Sequence, residues 1–179
     1  MISRRSAVLI VIDIQGSLFQ AMQEKENLLI NASKVIRGAK ILNLPVIATE
    51  QIPEKLGHII TDLAPELNDI QPVAKESFSC WGNSDFRKKL ESSGRREAII
   101  MGIESHVCVY QTALDLLNNR YAVHVVTDAV SSRTKENRDI GLNAMKSAGA
   151  YLTSAEMVLF ELLQTAGAAE FRDIHKIVK

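Results

Sequence analysis

Six runs of strand length recur along this chain, rich in Val, Ile and Ala and without strict alternation of polar and apolar residues. They read AVLIVI (7–12), PVIAT (45–49), IQPVA (70–74), EAIIMG (97–102), AVHVVT (122–127) and AYLT (150–153). A strand wetted on one face alternates, whereas a strand covered on both faces does not. The runs therefore demand helices on both faces of a parallel sheet, and helical spacing is what separates them. Leu28, Ala32, Val35, Ile36, Ala39 and Leu42 fall on one face of a helix, as do Tyr110, Ala113, Leu114 and Leu117. Thr153 with Glu156 three residues later forms a capping-box signature before MVLFELL, and Gly149 is a natural helix terminator. Phe171, Ile174 and Val178 mark a last amphipathic helix. This alternation predicts one α/β domain over residues 1–179 with a mostly parallel six-stranded sheet and right-handed crossovers.

Composition narrows the partners. Lys plus Arg and Asp plus Glu both total 21, so the formal net charge is zero. Such a balance offers no general attraction for nucleic acid or an anionic membrane surface, and it removes the self-repulsion that discourages association. A homo-oligomer acting on a small molecule is the expectation. The opening MISRRSAVLIVIDIQG places two arginines before an apolar run, but that run stops at Asp13, shorter than a signal-peptide core. Two cysteines make no disulfide framework, and no Cys/His spacing calls for zinc. A reducing, cytoplasmic setting follows. The glycines match no phosphate-binding loop, so no nucleotide cofactor is expected.

In an open parallel sheet, ligands bind at the carboxyl ends of the strands near the point where strand order reverses. Asp13 and Gln15 follow the first run, Lys75 the third, and Cys108 the fourth across a short loop, in GIESHVCVYQTALDLL. Each has a plainer reading: an Asp solvates a strand end or caps a helix, a Lys lies on the surface, and a free Cys packs as a small hydrophobe. Together they would set a carboxylate, an ammonium and a thiol on one edge. Cys108 is expected in the first turn of the helix it precedes, where unpaired N–H groups favour thiolate. Cys80, beside Trp81 in the irregular stretch 76–85, reads as a pocket-wall or incidental residue. His106 lies two residues from Cys108 and is a weaker base candidate on geometric grounds, and His58, His124 and His175 have no ligand-like spacing.

The order Asp, Lys and GIESHVCVYQTALDLL resembles the isochorismatase-like cysteine hydrolases, a group that includes nicotinamidases and N-carbamoylsarcosine amidohydrolases. The similarity runs from VLIVIDIQ through VVTDAVSSR to the last helices, and TEQIPEKLG, KESFSCWGN and MVLFELLQTAGAAEF look most like the isochorismatase domain-containing proteins. It implies a three-layer α/β/α sandwich and a catalytic triad of Asp13, Lys75 and Cys108. It also implies a cis peptide between Ile103 and Glu104 and an oxyanion hole from the Glu104 and Cys108 N–H groups. Nicotinamidases hold a metal through an Asp and several histidines after the second strand. Here TEQIPEKLGH offers only His58, so no metal and no nicotinamide substrate are expected. Isochorismatases proper lack the cysteine, and keeping Cys108 argues for attack on an acyl or carbamoyl carbon.

The expected chemistry is hydrolysis of a small amide, ureide or related C–N bond through a Cys108 thioester, with Gln15, Phe19 and Trp81 as pocket wall. A binding or scaffold protein retaining a vestigial triad is the alternative, and oxidative sensing through Cys108 is a third.

Overall fold

The computed structural model describes all 179 residues. Six strands, β1 (Ala7–Ile12), β2 (Val46–Gln51), β3 (Val73–Lys75), β4 (Glu97–Ile103), β5 (Ala122–Ser131) and β6 (Tyr151–Thr153), form one sheet in the order β3-β2-β1-β4-β5-β6. Every neighbouring pair is parallel, a stricter arrangement than the mostly parallel sheet expected. Eight helices connect or cover them: α1 (Gly16–Gln20), α2 (Lys25–Ile41), α3 (Pro53–Leu56), α4 (Ser84–Ser92), α5 (Tyr110–Asn118), α6 (Lys135–Ser147), α7 (Ala155–Leu163) and α8 (Phe171–Val178). Helices α2, α7 and α8 pack together on one face, and α4, α5 and α6 lie on the other. This is the three-layer sandwich that the doubly covered strands require. All six residues of β1 are buried, as a central strand between two helical layers must be.

Among the boundaries that differ from the sequence reading, three have a clear physical cause. β3 begins at Val73 because Pro72 lacks an N–H and Ile70 closes a turn onto the Leu67 carbonyl, so Lys75 is the last residue of the strand, not the first beyond it. β5 runs to Ser131: its pairing with β4 breaks after Ile100↔Val125 and resumes at Gly102↔Val130. Polar Asp128 sits in that bulge, and its side chain accepts from the Ala155 N–H at the head of α7. The cap of α7 is Ser154, whose hydroxyl accepts from the Met157 N–H, while Thr153 stays in β6.

One glycine fixes the central strands. Gly102 of β4 has φ +127° and pairs with Ile12 of β1, and a Cβ there would stand 2.0 Å from the Ile12 carbonyl oxygen. No side chain fits without forcing β1 and β4 apart immediately before Asp13. Gly102→Ala is expected to cost about 2–4 kcal/mol, since it adds strain at a glycine-only φ to an overpacked contact. A thermal melt checks this, and an unchanged melting temperature would contradict it.

Candidate active site

From β1 the chain moves outward through β2 to β3, then returns to the other side of β1 as β4. Strand order thus reverses between β1 and β4, and a crevice is expected at their carboxyl ends. Asp13 leaves β1 there, and the Ser105–Val109 turn leaves β4 there. Lys75 reaches the same place from β3 on its long side chain.

Asp13 adopts φ +52°, a left-handed conformation that Asp tolerates better than most residues. Its side chain is fully buried and forms a 2.7 Å ion pair with the equally buried Lys75 through Oδ2. Oδ1 accepts from the Thr49 hydroxyl at 2.7 Å. The Lys75 ammonium also donates to Gln51 Oε1 at 2.6 Å and approaches the Ser77 and Phe78 carbonyls at 3.1 and 3.2 Å. Burial pushes the Lys75 ammonium down, but the Asp13 charge, aided by Cys80 and Cys108, outweighs it and holds the group above the usual lysine range. A buried lysine with that many acceptors is a fixed positive charge.

Cys108 is 7% exposed and lies in a π-helical turn that runs directly into α5. Its thiol is pushed up to about 12, first by burial and next by the Asp13 charge, with Lys75 opposing them. This corrects the expectation that a helix start favours thiolate: here desolvation and a neighbouring anion outweigh the helix. The arrangement suits a thiol that surrenders its proton to Asp13 as it attacks. α6 braces the turn at backbone contact, since a Cβ on Gly141 would lie 2.8 Å from the Ser105 carbonyl oxygen. The Ser105 hydroxyl donates to the Ser131 carbonyl at 3.0 Å, tying the turn to the end of β5. The Ile103–Glu104 peptide bond is cis, and the Glu104 N–H meets no backbone acceptor. The Glu104 side chain faces away to Arg133, 3.1 Å from its Nε.

The other candidates are committed to partners of their own. Gln15 is fully buried, and its amide is committed to backbone: Oε1 accepts from the Gln51 N–H, while Nε2 donates to the Gln51 and Gly57 carbonyls. It staples the 57–60 segment beside β1, with both amide protons used and no surface exposed. The Trp81 ring meets Tyr121 edge-on, with ring centres 6.0 Å apart. Tyr121 immediately precedes β5, so this ring points toward the amino end of the sheet, away from Cys108. Phe19 is buried in α1 as part of the core. His106 Nδ1 faces the Ser132 hydroxyl at 3.0 Å, and His58 faces Glu50 at 3.1 Å. Sequence reasoning passed over Thr49 and Gln51. Their signal was polarity at the carboxyl end of β2, in VIATEQ.

Comparison with known proteins agrees with this architecture. A family model described as the isochorismatase domain matches residues 7–157. Isochorismatase domain-containing protein 2 of Xenopus laevis is 36% identical over 178 residues, covering 99% of this chain and 85% of its own. The solved structure of MAR1 ribonuclease from Caenorhabditis elegans superposes with a TM-score of 0.93 at 32% identity, over 99% of this chain and 91% of that one. Pseudomonas aeruginosa YcaC, solved with hexane-2,5-diol and covalent acrylamide, gives 0.92 at 25% identity, over 98% and 90% of the two chains. Escherichia coli YcaC, described as an octameric hydrolase of unknown specificity, gives 0.89 at 26%, over 99% and 86%. With its strand order, its buried carboxylate–lysine pair and these matches over nearly its whole length, the chain belongs to the isochorismatase family.

Proposed function

We propose that this protein is a cysteine hydrolase of small amides, ureides or related C–N bonds, with Asp13, Lys75 and Cys108 as its triad. The observation that carries this reading is the buried 2.7 Å Asp13–Lys75 pair beside a thiol that burial and the Asp13 charge keep protonated. Asp13 takes the Cys108 proton as sulfur adds to the carbonyl carbon, and the carbonyl electron pair moves onto oxygen. The Glu104 and Cys108 N–H groups receive that oxyanion. Collapse expels the amine, which takes the proton back from Asp13 and leaves a thioester. Water then attacks the thioester, with Asp13 again as base, and the acid leaves as the thiol reforms. Lys75 stays protonated throughout and balances whichever anion is present.

Acrylamide is an electrophile that thiolates capture, and its covalent attachment in the Pseudomonas aeruginosa relative supports a nucleophile in this fold. The ribonuclease description of the Caenorhabditis elegans relative favours a second reading, cleavage of RNA. The zero net charge weighs against it, because phosphate-backbone binding draws on an excess of Lys and Arg. Both cysteines are free, which fits a reducing cytoplasm.

A panel of amides, carbamoyl compounds and ureides, run beside an RNA oligomer, separates the readings. Turnover of a C–N substrate by the native protein is expected to vanish in Cys108→Ala with circular dichroism unchanged. Full activity in that variant would reject the covalent route. We also assign a homo-oligomer, in keeping with the octameric Escherichia coli relative. Sedimentation velocity is expected to give a multiple of 19.8 kDa, and a monomer at micromolar concentration would overturn that assignment.

A further inference from the structure

Thr49 lies in β2, 1% exposed and paired with Ile12 of β1, and its carbonyl accepts from the Asp13 N–H at 3.3 Å. Its hydroxyl has two neighbours, Asp13 Oδ1 at 2.7 Å and Cys80 Sγ at 3.8 Å. A hydroxyl carries one proton, and a carboxylate can only accept. The Thr49 proton therefore points to Asp13, and the Cys80 thiol donates to the Thr49 oxygen. Cys80 keeps its proton across the neutral range, since burial and then the Asp13 charge push its thiol up to about 11. Its backbone is held too, because the Cys80 N–H donates to Thr112 Oγ1 of α5 at 2.9 Å.

We propose that Thr49 is a positioning residue for Asp13, with its hydroxyl locked in the donating direction by the second buried thiol, Cys80. The inference rests on the cysteine-hydrolase reading and deepens it. Thr49 occupies Oδ1 and Lys75 occupies Oδ2, so the carboxylate is held by a separate donor on each oxygen. Rotating it would break one of those bonds, and both are charge-assisted. In the proposed step, the acceptor capacity those two bonds leave on Asp13 takes the Cys108 proton. The titratable groups that act around Asp13 are Lys75 of β3, Cys80 of the turn after it and Cys108 of the π-helical turn. Only Lys75 among them brings positive charge. The Thr49 hydroxyl is thus the one neutral donor on the carboxylate, and it is the group whose removal leaves the local charge count intact.

The test needs no substrate. Cys108 is alkylated with limiting iodoacetamide between about pH 4 and pH 9, and adducts at Cys108 and Cys80 are counted by peptide mass spectrometry. In the native protein, Cys108 should label well below the pH that its raised thiol alone would allow, because Asp13 takes the proton during attack, whereas fully buried Cys80 should label little at any pH. In Thr49→Val, which keeps the shape of the side chain, the acid limb of Cys108 labelling is expected to move up by roughly one pH unit. Thr49→Ser is expected to restore it, and Cys80→Ala to give a smaller move in the same direction. A Thr49→Val profile lowered equally at every pH, with its acid limb unmoved, would show a merely structural role and overturn the inference while leaving the hydrolase reading in place. Native Cys108 labelling like that of an ordinary exposed thiol would overturn both.

Discussion

A carboxylate and an ammonium, both stripped of water and 2.7 Å apart, are the constraint around which this protein is arranged. Each ion alone would be costly to bury, and removing one partner from such a pair typically costs about 3–5 kcal/mol because the other is left uncompensated. The fold meets this by surrounding the pair with further donors and acceptors. Thr49 and Gln51 from β2, with two carbonyls of the loop after β3, fill the positions that water would hold. Three adjacent strands are therefore joined at their carboxyl ends by side chains as well as by the sheet ladder. The loop that follows Lys75 is wrapped around its own lysine.

The thiol enters this arrangement from the opposite side of β1. Its environment sets the sequence of events in the proposed chemistry. A Cys108 thiol pushed up to about 12 is not a resting thiolate, so its reactivity depends on the acceptor beside it at the moment of attack. Burial raises the barrier to a free anion, and in the proposed step the Asp13 carboxylate takes the proton as the sulfur attacks. Lys75 limits the charge that accumulates. The same desolvation that quiets the thiol at rest strengthens every electrostatic contact once a substrate displaces solvent.

Much of this was legible in the chain because strand ends are legible. Non-alternating Val and Ile runs specified doubly covered parallel strands, and parallel strands put chemistry at their carboxyl ends. Asp13, Lys75 and Cys108 could be read from those rules, and the structure brings all three to one edge. Gln51 escapes because the second run, read to residue 49, stops two residues before β2 ends, and Thr49 because a threonine inside a strand run reads as ordinary β propensity. Gln15 and Trp81 stand at promising positions in the sequence, yet where an amide or an indole points is decided by partners distant in the chain. Gln51 and Gly57 claim the first, and Tyr121 claims the second. The state of the Cys108 thiol was read from its helix alone, whereas its desolvation belongs to the assembled core.

The cross-braced lysine has a consequence for the life of the molecule. Its Nζ lies within reach of four oxygen acceptors and its side chain has no exposed surface. Acetylating enzymes and reactive sugars that age other lysines have no approach to it while the protein stays folded. The cation facing Asp13 is inherited with the polypeptide and endures for as long as the native state does.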